Sequence, residues 1–162
     1  MFEVAPDADD AFLEAWRGTP ATLHRALRED ADFRFVAIGE VEPPDLPFAS
    51  HRARYEVVHD DGSVAGAGGT VLINPFEVAR EDDDAYLAAW DAARAALADQ
   101  RGYLGTRLHR ASQADARFRF VNVARWSSPL MFSQAVARDA FREAAAAMRF
   151  ASHPALYLVI GD

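Results

Sequence analysis

Residues 117–126 have the sequence Arg-Phe-Arg-Phe-Val-Asn-Val-Ala-Arg-Trp, and this stretch decides the fold. Its period of two predicts a β-strand. One face of that strand carries Phe118, Phe120, Asn122, Ala124 and Trp126. An asparagine within an aromatic face is unusual, because a buried amide without partners costs about 1–3 kcal/mol. Trp126 adds a single N–H donor on a large apolar ring. Asn122 and Trp126 are therefore either satisfied core residues or a polar clamp for a ligand.

The composition is that of a globular chain and excludes several kinds of chemistry. The 162 residues are 51% hydrophobic, and no apolar run approaches the roughly 20 residues of a membrane span. A formal net charge of −8 argues against a nucleic-acid surface. Cysteine and lysine are both absent, which excludes disulfides, thiolate nucleophiles and Schiff bases. The acidic N-terminal stretch does not resemble a signal peptide, so we expect a cytoplasmic protein that binds neither nucleic acid nor membrane.

The sequence contains an internal repeat of five blocks in the same order. The blocks are FEVA at 2–5 and 76–79, DDAFL or DDAYL at 9–13 and 83–87, LHRA at 23–26 and 108–111, FRFV at 33–36 and 118–121, and FASH at 48–51 and 150–153. Blocks repeated in one order predict a tandem duplication. We expect a shortened, degenerate repeat at 1–62, a small-residue linker at 63–69 and a complete repeat at 70–162.

The first repeat is shorter than the second in two places. Eight positions separate Trp16 from His24, whereas 19 separate the matching Trp90 and His109. Its second helical region is replaced by Pro43-Pro44-Asp45-Leu46-Pro47, which cannot form a helix. We therefore expect the first repeat to be structural, with one working pocket per chain.

The second repeat has the pattern of a complete ferredoxin-like unit. Its predicted elements are a strand at 70–76, a helix capped by Asp82 to Asp84 and ended before Gly102, strands at 103–111 and 117–126, a helix capped by Ser128 with Pro129 at its first position, a helix at about 138–148 and a strand at 155–160. The order βαββαβ predicts an α+β ferredoxin-like fold, in which helices cover one face of an antiparallel sheet.

The segment NVARWSSP at 122–129, followed by Phe132 and by FREA at 141–144, resembles the antibiotic biosynthesis monooxygenase domain of the dimeric α/β-barrel superfamily. The resemblance implies a monooxygenase that uses no metal, flavin or haem. Its substrates would be a phenolic or polyketide-like aromatic and molecular oxygen, bound between the sheet and the helices. It also implies that two repeats pair through their sheets, here within one chain, and it leaves a further homo-oligomer open.

The resemblance also implies which residues form the site. Asn122 and Trp126 match a strand pair proposed to bind substrate carbonyls and reduced oxygen, while His109 matches a strand histidine and Arg142 a helical arginine. The pocket lining is expected to include Asn74, Phe118, Phe120 and Phe132. Quinone-forming members have a tyrosine at the position of Phe132, so one hydroxyl and its proton are missing here. Fixed neutral donors such as Asn122 suit the stabilisation of a phenolate or a peroxide anion.

The same fold is found with two other kinds of function, which are the alternatives to a monooxygenase. Asn74 matches a first-strand asparagine of a haem-degrading branch, but Ala135 and Ala145 stand near the positions of that branch's tryptophan and haem-ligating histidine. Alanine cannot ligate iron, so haem degradation is disfavoured. A non-catalytic module that binds a small ligand or supports assembly stays open, because fold alone does not define function.

Overall fold

The computed structural model describes residues 1–42, 44–62 and 69–161, so Pro43 and most of the expected linker at 63–69 lie outside the described residues. The strands are β1 (Phe2–Glu3), β2 (Thr22–Ala26), β3 (Phe35–Ile38), β4 (Ala49–Ser50), β5 (Tyr55–Asp60), β6 (Thr70–Glu77), β7 (Tyr103–Ala111), β8 (Phe120–Trp126), β9 (Ala151–Ser152) and β10 (Ala155–Gly161). The α-helices are α1 (Asp9–Trp16), α2 (Asp83–Ala98), α3 (Pro129–Val136) and α4 (Asp139–Ala146). In the part of the chain so described, no helix is long and apolar enough to cross a bilayer.

The chain forms two compact units. The first unit contains Met1–Arg52 and Ala155–Asp162, and the second unit contains Ala53–Pro154. Their limits differ from the repeat boundaries expected at 62 and 70. The last strand predicted for the second repeat, β10, pairs with β2 of the first unit. The strand that ends the first repeat, β5, pairs with β7 of the second unit.

The second unit is an antiparallel sheet with a helix packed across one face. The strand order is β9-β6-β8-β7-β5. Tyr86 of α2 stacks on Phe120 of β8 with ring centroids 4.2 Å apart, and it meets the ring of Phe76 edge-on at 5.0 Å. The buried core consists of Phe76, Tyr86, Trp90, Leu108 and Phe120. This arrangement confirms the α+β ferredoxin-like fold predicted from the pattern.

Local sequence signals explain where the helices of the second unit begin. Ser128 caps α3 by accepting a hydrogen bond from the backbone N–H of Met131 at 3.2 Å, with Pro129 at the first position, as predicted. The side-chain cap expected at the start of α2 is not formed: the N-cap residue, Asp82, accepts no capping hydrogen bond. Gly102 has a φ of 86°, and a Cβ there would lie 2.5 Å from the Cβ of Met131. Only glycine fits this close turn without rearrangement.

The first unit has the strand order β4-β1-β3-β2-β10, and its described residues form one short α-helix, α1. Phe12 of α1 stacks on Phe35 at 4.3 Å, in the way that Tyr86 stacks on Phe120 in the second unit. The core residues are Phe2, Val4, Phe12, Trp16, Leu23 and Phe35. Every one of these side chains is apolar or aromatic, so the centre of this unit is a packed hydrophobic core.

Candidate functional site

Strand register places the two asparagines predicted for the site side by side. Asn122 of β8 lies opposite Asn74 of β6 and opposite Leu108 of β7. Directly opposed residues in antiparallel strands carry their side chains on the same face. Because Tyr86 stacks on Phe120, two residues before Asn122, this is the face that α2 covers. Asn74 and Asn122 therefore both face the helix.

The side-chain amide of Asn122 is held in one orientation by two donors. The indole N–H of Trp90 donates to Asn122 Oδ1 at 3.2 Å, and the hydroxyl of Thr106 donates to the same oxygen at 2.8 Å. An indole nitrogen can only donate, so the atom it meets must be the amide oxygen. The Nδ2 group then points away with two N–H donors, and it has no hydrogen-bond partner among the described residues. Trp90, Thr106 and Asn122 together form an amide cluster.

Thr106 is itself fixed from outside the cluster. Its backbone N–H donates to Asp61 Oδ1 at 2.6 Å, and the hydroxyl of Tyr103 donates to Asp61 Oδ2. The Thr106 hydroxyl also lies 3.2 Å from the carbonyl oxygen of Val123. These contacts hold Thr106, which is buried, so its hydroxyl position does not depend on a ligand.

Among the described residues of the second unit, four polar side-chain atoms are buried without a hydrogen-bond partner. They are His59 Nε2, Asn74 Oδ1, the Tyr86 hydroxyl and Trp126 Nε1. An unpaired buried donor or acceptor costs about 1–3 kcal/mol, so each of these groups needs an explanation. Burial also raises the pKa of Tyr86, so its hydroxyl stays protonated and acts as a donor. A polar ligand on this side of the sheet would satisfy such groups.

Trp126 and Phe132 lie together at one end of β8. The Trp126 ring is fully buried and meets the rings of Tyr103 and Phe132 edge-on, both at 5.4 Å. Trp126 shares the face of Asn122 but lies four residues further along the strand, about 13 Å at about 3.3 Å per residue. The two members of the predicted clamp therefore face the same side without touching each other.

His109 lies on the opposite face of the sheet from Asn122. It is paired with Val121, one residue before Asn122, and alternation turns it away from α2. Its Nδ1 lies 3.3 Å from the carbonyl oxygen of Val121. Burial lowers the pKa of His109, which keeps the ring neutral over a wider range. The structure thus does not bring His109 to the amide cluster.

The remaining predicted site residues have ordinary packing roles or are solvent-exposed. Arg142 of α4 is exposed and lies outside the amide cluster. Phe118 is buried between the ring of His153, at 5.4 Å, and the guanidinium of Arg117, at 4.9 Å. Phe120 belongs to the hydrophobic core beside Tyr86. Across the described ranges, no three His, Asp or Glu side chains are arranged to hold a metal ion.

Sequence reasoning missed the roles of Trp90, Thr106 and His59. In the sequence, Trp90 serves only to compare the spacing of the two repeats, and Thr106 lies in a strand with no special pattern. A comparison of the two repeats could have identified Thr106 as a candidate site residue. At the positions that match Thr106 and Asn122, the first repeat has Ala21 and Ala37, so the polar residues are confined to the second.

Comparison with known proteins places the second unit in a family. Residues 70–147 match the family model of the antibiotic biosynthesis monooxygenases. A proposed monooxygenase from Shewanella loihica PV-4 is 36% identical, with a TM-score of 0.53, and the match covers 60% of this chain and 100% of that one. No curated protein sequence is significantly similar to the chain.

More distant structures share the fold. SnoaB, a cofactor-independent oxygenase from Streptomyces nogalater, is 23% identical with a TM-score of 0.51, over 59% of this chain and 97% of that one. An anthrone oxidase-like protein is 18% identical with a TM-score of 0.72, over 99% of this chain and 89% of that one. The similar structures also include a haem-degrading enzyme from Listeria monocytogenes, at 17% identity and a TM-score of 0.54. The chain therefore belongs to the antibiotic biosynthesis monooxygenase family, whose domain occupies residues 70–147.

Proposed function

We propose that the chain is a cofactor-independent monooxygenase that oxidises a phenolic or polyketide-like aromatic with molecular oxygen. The observation that carries the proposal is the fixed amide of Asn122. Its oxygen is occupied by Trp90 and Thr106, so its two N–H donors are left for a ligand. Donors that are already oriented stabilise developing negative charge without reorganising during the reaction.

The proposed reaction needs a substrate that supplies its own electrons. For an anthrone, the ring CH2 becomes a carbonyl, one oxygen atom of O2 enters the product, and the other leaves as water. The substrate supplies all four electrons that O2 takes up: two are used in forming the new C=O group, and the other two leave with the two CH2 hydrogens to form water, so no external reductant is required. In this scheme, Asn122 Nδ2 stabilises the phenolate or enolate oxygen, and the Tyr86 hydroxyl and Trp126 Nε1 are further donors for oxygen-centred charge.

The residues do not fit a haem-degrading function. Ala135 of α3 and Ala145 of α4 have no atom that ligates iron, although each lies near a position where that branch carries a haem-binding side chain. A module that binds a ligand without catalysis would use the same polar site, and a turnover measurement distinguishes it from an oxygenase.

The experiment uses 1,8-dihydroxy-9-anthrone as the probe, with oxygen uptake and quinone absorbance recorded together. Wild-type protein treated with a chelator is expected to produce quinone above the uncatalysed rate. Asn122→Ala should lower kcat roughly a hundredfold, the usual loss for one oxyanion donor. Gln113→Ala, which removes an exposed amide in the turn between β7 and β8, is the matched control and should behave as wild type.

Two outcomes would contradict parts of the proposal. Wild-type turnover no faster than the blank, together with tight binding of 1,8-dihydroxyanthraquinone, would indicate a binding module. Wild-type turnover that Asn122→Ala leaves unchanged would retain the oxygenase but remove Asn122 from its mechanism. Circular dichroism of Asn122→Ala should match wild type, since alanine occupies the matching position 37 in the first unit.

A further inference from the structure

A β-bulge near the end of β5 turns His59 toward the amide cluster. Val57 is paired with His109 and His59 with Leu108, so Val58 is an extra residue on this strand. A bulge shifts the alternation by one and re-aims the next side chain. Leu108 lies opposite Asn122 on the helix-covered face, so the bulge places His59 on that same face.

His59 contacts the amide cluster through Trp90. The two rings meet edge-on, with centroids 5.0 Å apart and an interplanar angle of 68°. The same indole donates its N–H to Asn122 Oδ1, so Trp90 joins the imidazole and the amide. His59 Nε2 is buried, and no described residue forms a hydrogen bond with it. The structure thus leaves one imidazole nitrogen unused next to the cluster.

The first unit contains the same bulge without the histidine. In β10, Val159 is paired with His24 and Gly161 with Leu23, which repeats the register shift of β5. Glycine therefore stands where the second unit has His59, and Ala21 and Ala37 stand where it has Thr106 and Asn122. The bulge does not need an imidazole for its backbone geometry. The histidine occurs in the unit that also has the polar cluster.

We propose that His59 contacts the aromatic substrate and removes the proton from its phenolic hydroxyl, an inference that rests on the proposed function. In this step the O–H bond breaks, its electron pair stays on oxygen, and the proton forms an N–H bond at Nε2. The products are an imidazolium and a phenolate that the Nδ2 donors of Asn122 can stabilise. Of the four buried atoms without partners, only this imidazole nitrogen is a good proton acceptor, because the indole and the phenol donate and an amide oxygen is weakly basic.

Several charged groups on the elements around His59 form ion pairs or hydrogen bonds with one another, so these groups do not compete for this proton. On β5 and β7, Glu56 pairs with Arg110 and Asp60 with Arg107, each at 2.7 Å. On α2, Asp91 pairs with Arg94 at 2.9 Å, and the Arg94 guanidinium lies 5.9 Å from the centroid of the Trp90 ring. His109 of β7 is on the other face, and Asp61 after β5 is bound to Tyr103 and Thr106.

The test replaces His59 with glycine, the residue found at the matching bulge. His59→Gly should lower kcat/KM for 1,8-dihydroxy-9-anthrone at neutral pH roughly a hundredfold, the low end of the usual general-base contribution. Imidazole added to the buffer should restore much of the rate, because the deletion leaves room for it. The rate should also recover at alkaline pH, where the free phenol ionises by itself. His153→Gln, a histidine change just after β9 in the same unit, is the control and should keep the wild-type pH profile.

A binding measurement separates failure of this inference from failure of the proposed function. Histidine side-chain NMR signals are recorded with and without 1,8-dihydroxyanthraquinone, which binds without turnover, and the His59 signal is identified by its loss in His59→Gly. A shift of that signal on binding supports the contact even if wild type oxidises nothing. Binding without a shift would overturn the contact. Turnover by His59→Gly at the wild-type rate and with the wild-type pH profile would overturn the proton transfer.

Discussion

Two histidines on neighbouring strands of the second unit lie in opposite surroundings. His59 of β5 faces α2 and the amide cluster, whereas His109 of β7 faces the other side of the sheet and meets the carbonyl of Val121. One bulged residue in β5 accounts for the difference, because it reverses which side chains face the helix. The two residues should therefore have separable effects, one on catalysis and the other on stability.

His109 should make the folded state less stable in mild acid. Burial lowers its pKa in the folded state below 6.5, its value in an unfolded chain. The unfolded chain then binds the proton more readily, so stability is full above pH 6.5 and falls as the pH drops toward the folded pKa. His109→Gln should flatten this part of the curve. Urea unfolding between pH 7.5 and 5 measures the effect, and an unchanged slope in His109→Gln would contradict it.

The sequence predicted some of these residues and could not predict others, for a physical reason. Asn122 was identified because an amide conflicts with an aromatic strand face, a conflict visible in the sequence itself. Its partners Trp90 and Thr106 are 32 and 16 residues away, and only the packing of α2 on β7 and β8 brings them together. His59 was missed because a bulge changes the face of one strand position, and no composition signal marks Val58 as the extra residue.

At the scale of elements, one ion pair fastens α2 to the sheet. Arg119 lies just before β8, and it binds Asp83 at the start of α2 at 2.6 Å while donating to the carbonyl of Ala111. Both charged side chains are mostly buried, at 12% and 18% exposure, so solvent screens the pair weakly. The first unit has the same arrangement, with Arg34 and Asp9 at 2.6 Å. The pair sets the position of the helix that carries Tyr86 and Trp90.

Asp83→Asn should loosen this attachment. Loss of a hydrogen-bonded charge pair is expected to lower the free energy of unfolding by about 1.5–3 kcal/mol. The hydrogen bonds from Arg119 hold the pKa of Asp83 below its usual value of 3.8, so its contribution is present above that pH and is lost as the pH falls through the folded pKa. Asp84→Asn, an exposed neighbour in the same first turn, is the matched control. Equal losses in the two variants would show that the helix charge, rather than the ion pair, is responsible.

The pairing partners of two strands could not be predicted from the sequence pattern. Alternation identifies β5 and β10 as strands, but either could pair with its own repeat or with the other one. Each carries a tyrosine whose hydroxyl donates to a backbone carbonyl, Tyr55 to Phe118 at 3.1 Å and Tyr157 to Phe33 at 2.9 Å. In sequence, each of these tyrosines belongs to the repeat whose FRFV block it does not contact. Each of these two strands therefore pairs with the other repeat, and only the contacts show this, because neither strand's own sequence predicts its partner.

For the whole molecule, the two units share several kinds of contact, while the tandem duplication itself stays a prediction. Each unit has a stacked pair of aromatic rings, a buried aspartate–arginine ion pair and a tyrosine hydroxyl bound to a backbone carbonyl. Each unit also has a β-bulge near the end of one strand, β10 in the first unit and β5 in the second. The units differ where polar groups are concerned. Phe12, Ala21, Ala37 and Gly161 of the first match Tyr86, Thr106, Asn122 and His59 of the second. The pairing of the two repeats through their sheets within one chain stays a prediction.

This difference predicts one ligand site per chain. The first unit has an apolar core at the matching place, including Trp16, whereas the second presents donors and acceptors around Trp90. Titration calorimetry with 1,8-dihydroxyanthraquinone should therefore saturate at one molecule per chain. The double variant Thr106→Ala/Asn122→Ala makes the second unit resemble the first, and it should remain folded but bind far more weakly. It leaves the Trp90 N–H without its acceptor, which should cost about 1–3 kcal/mol of stability.

The converse change supplies the control for that experiment. Ala21→Thr/Ala37→Asn places the same side chains in the first unit, where Phe12 and Gly161 still lack the matching hydroxyl and imidazole. Stoichiometry should stay at one, because the added groups replace methyls in a packed core and do not open space for a ring system. Saturation at two molecules per wild-type chain, or unchanged affinity in the Thr106→Ala/Asn122→Ala variant, would show that binding does not depend on the amide cluster.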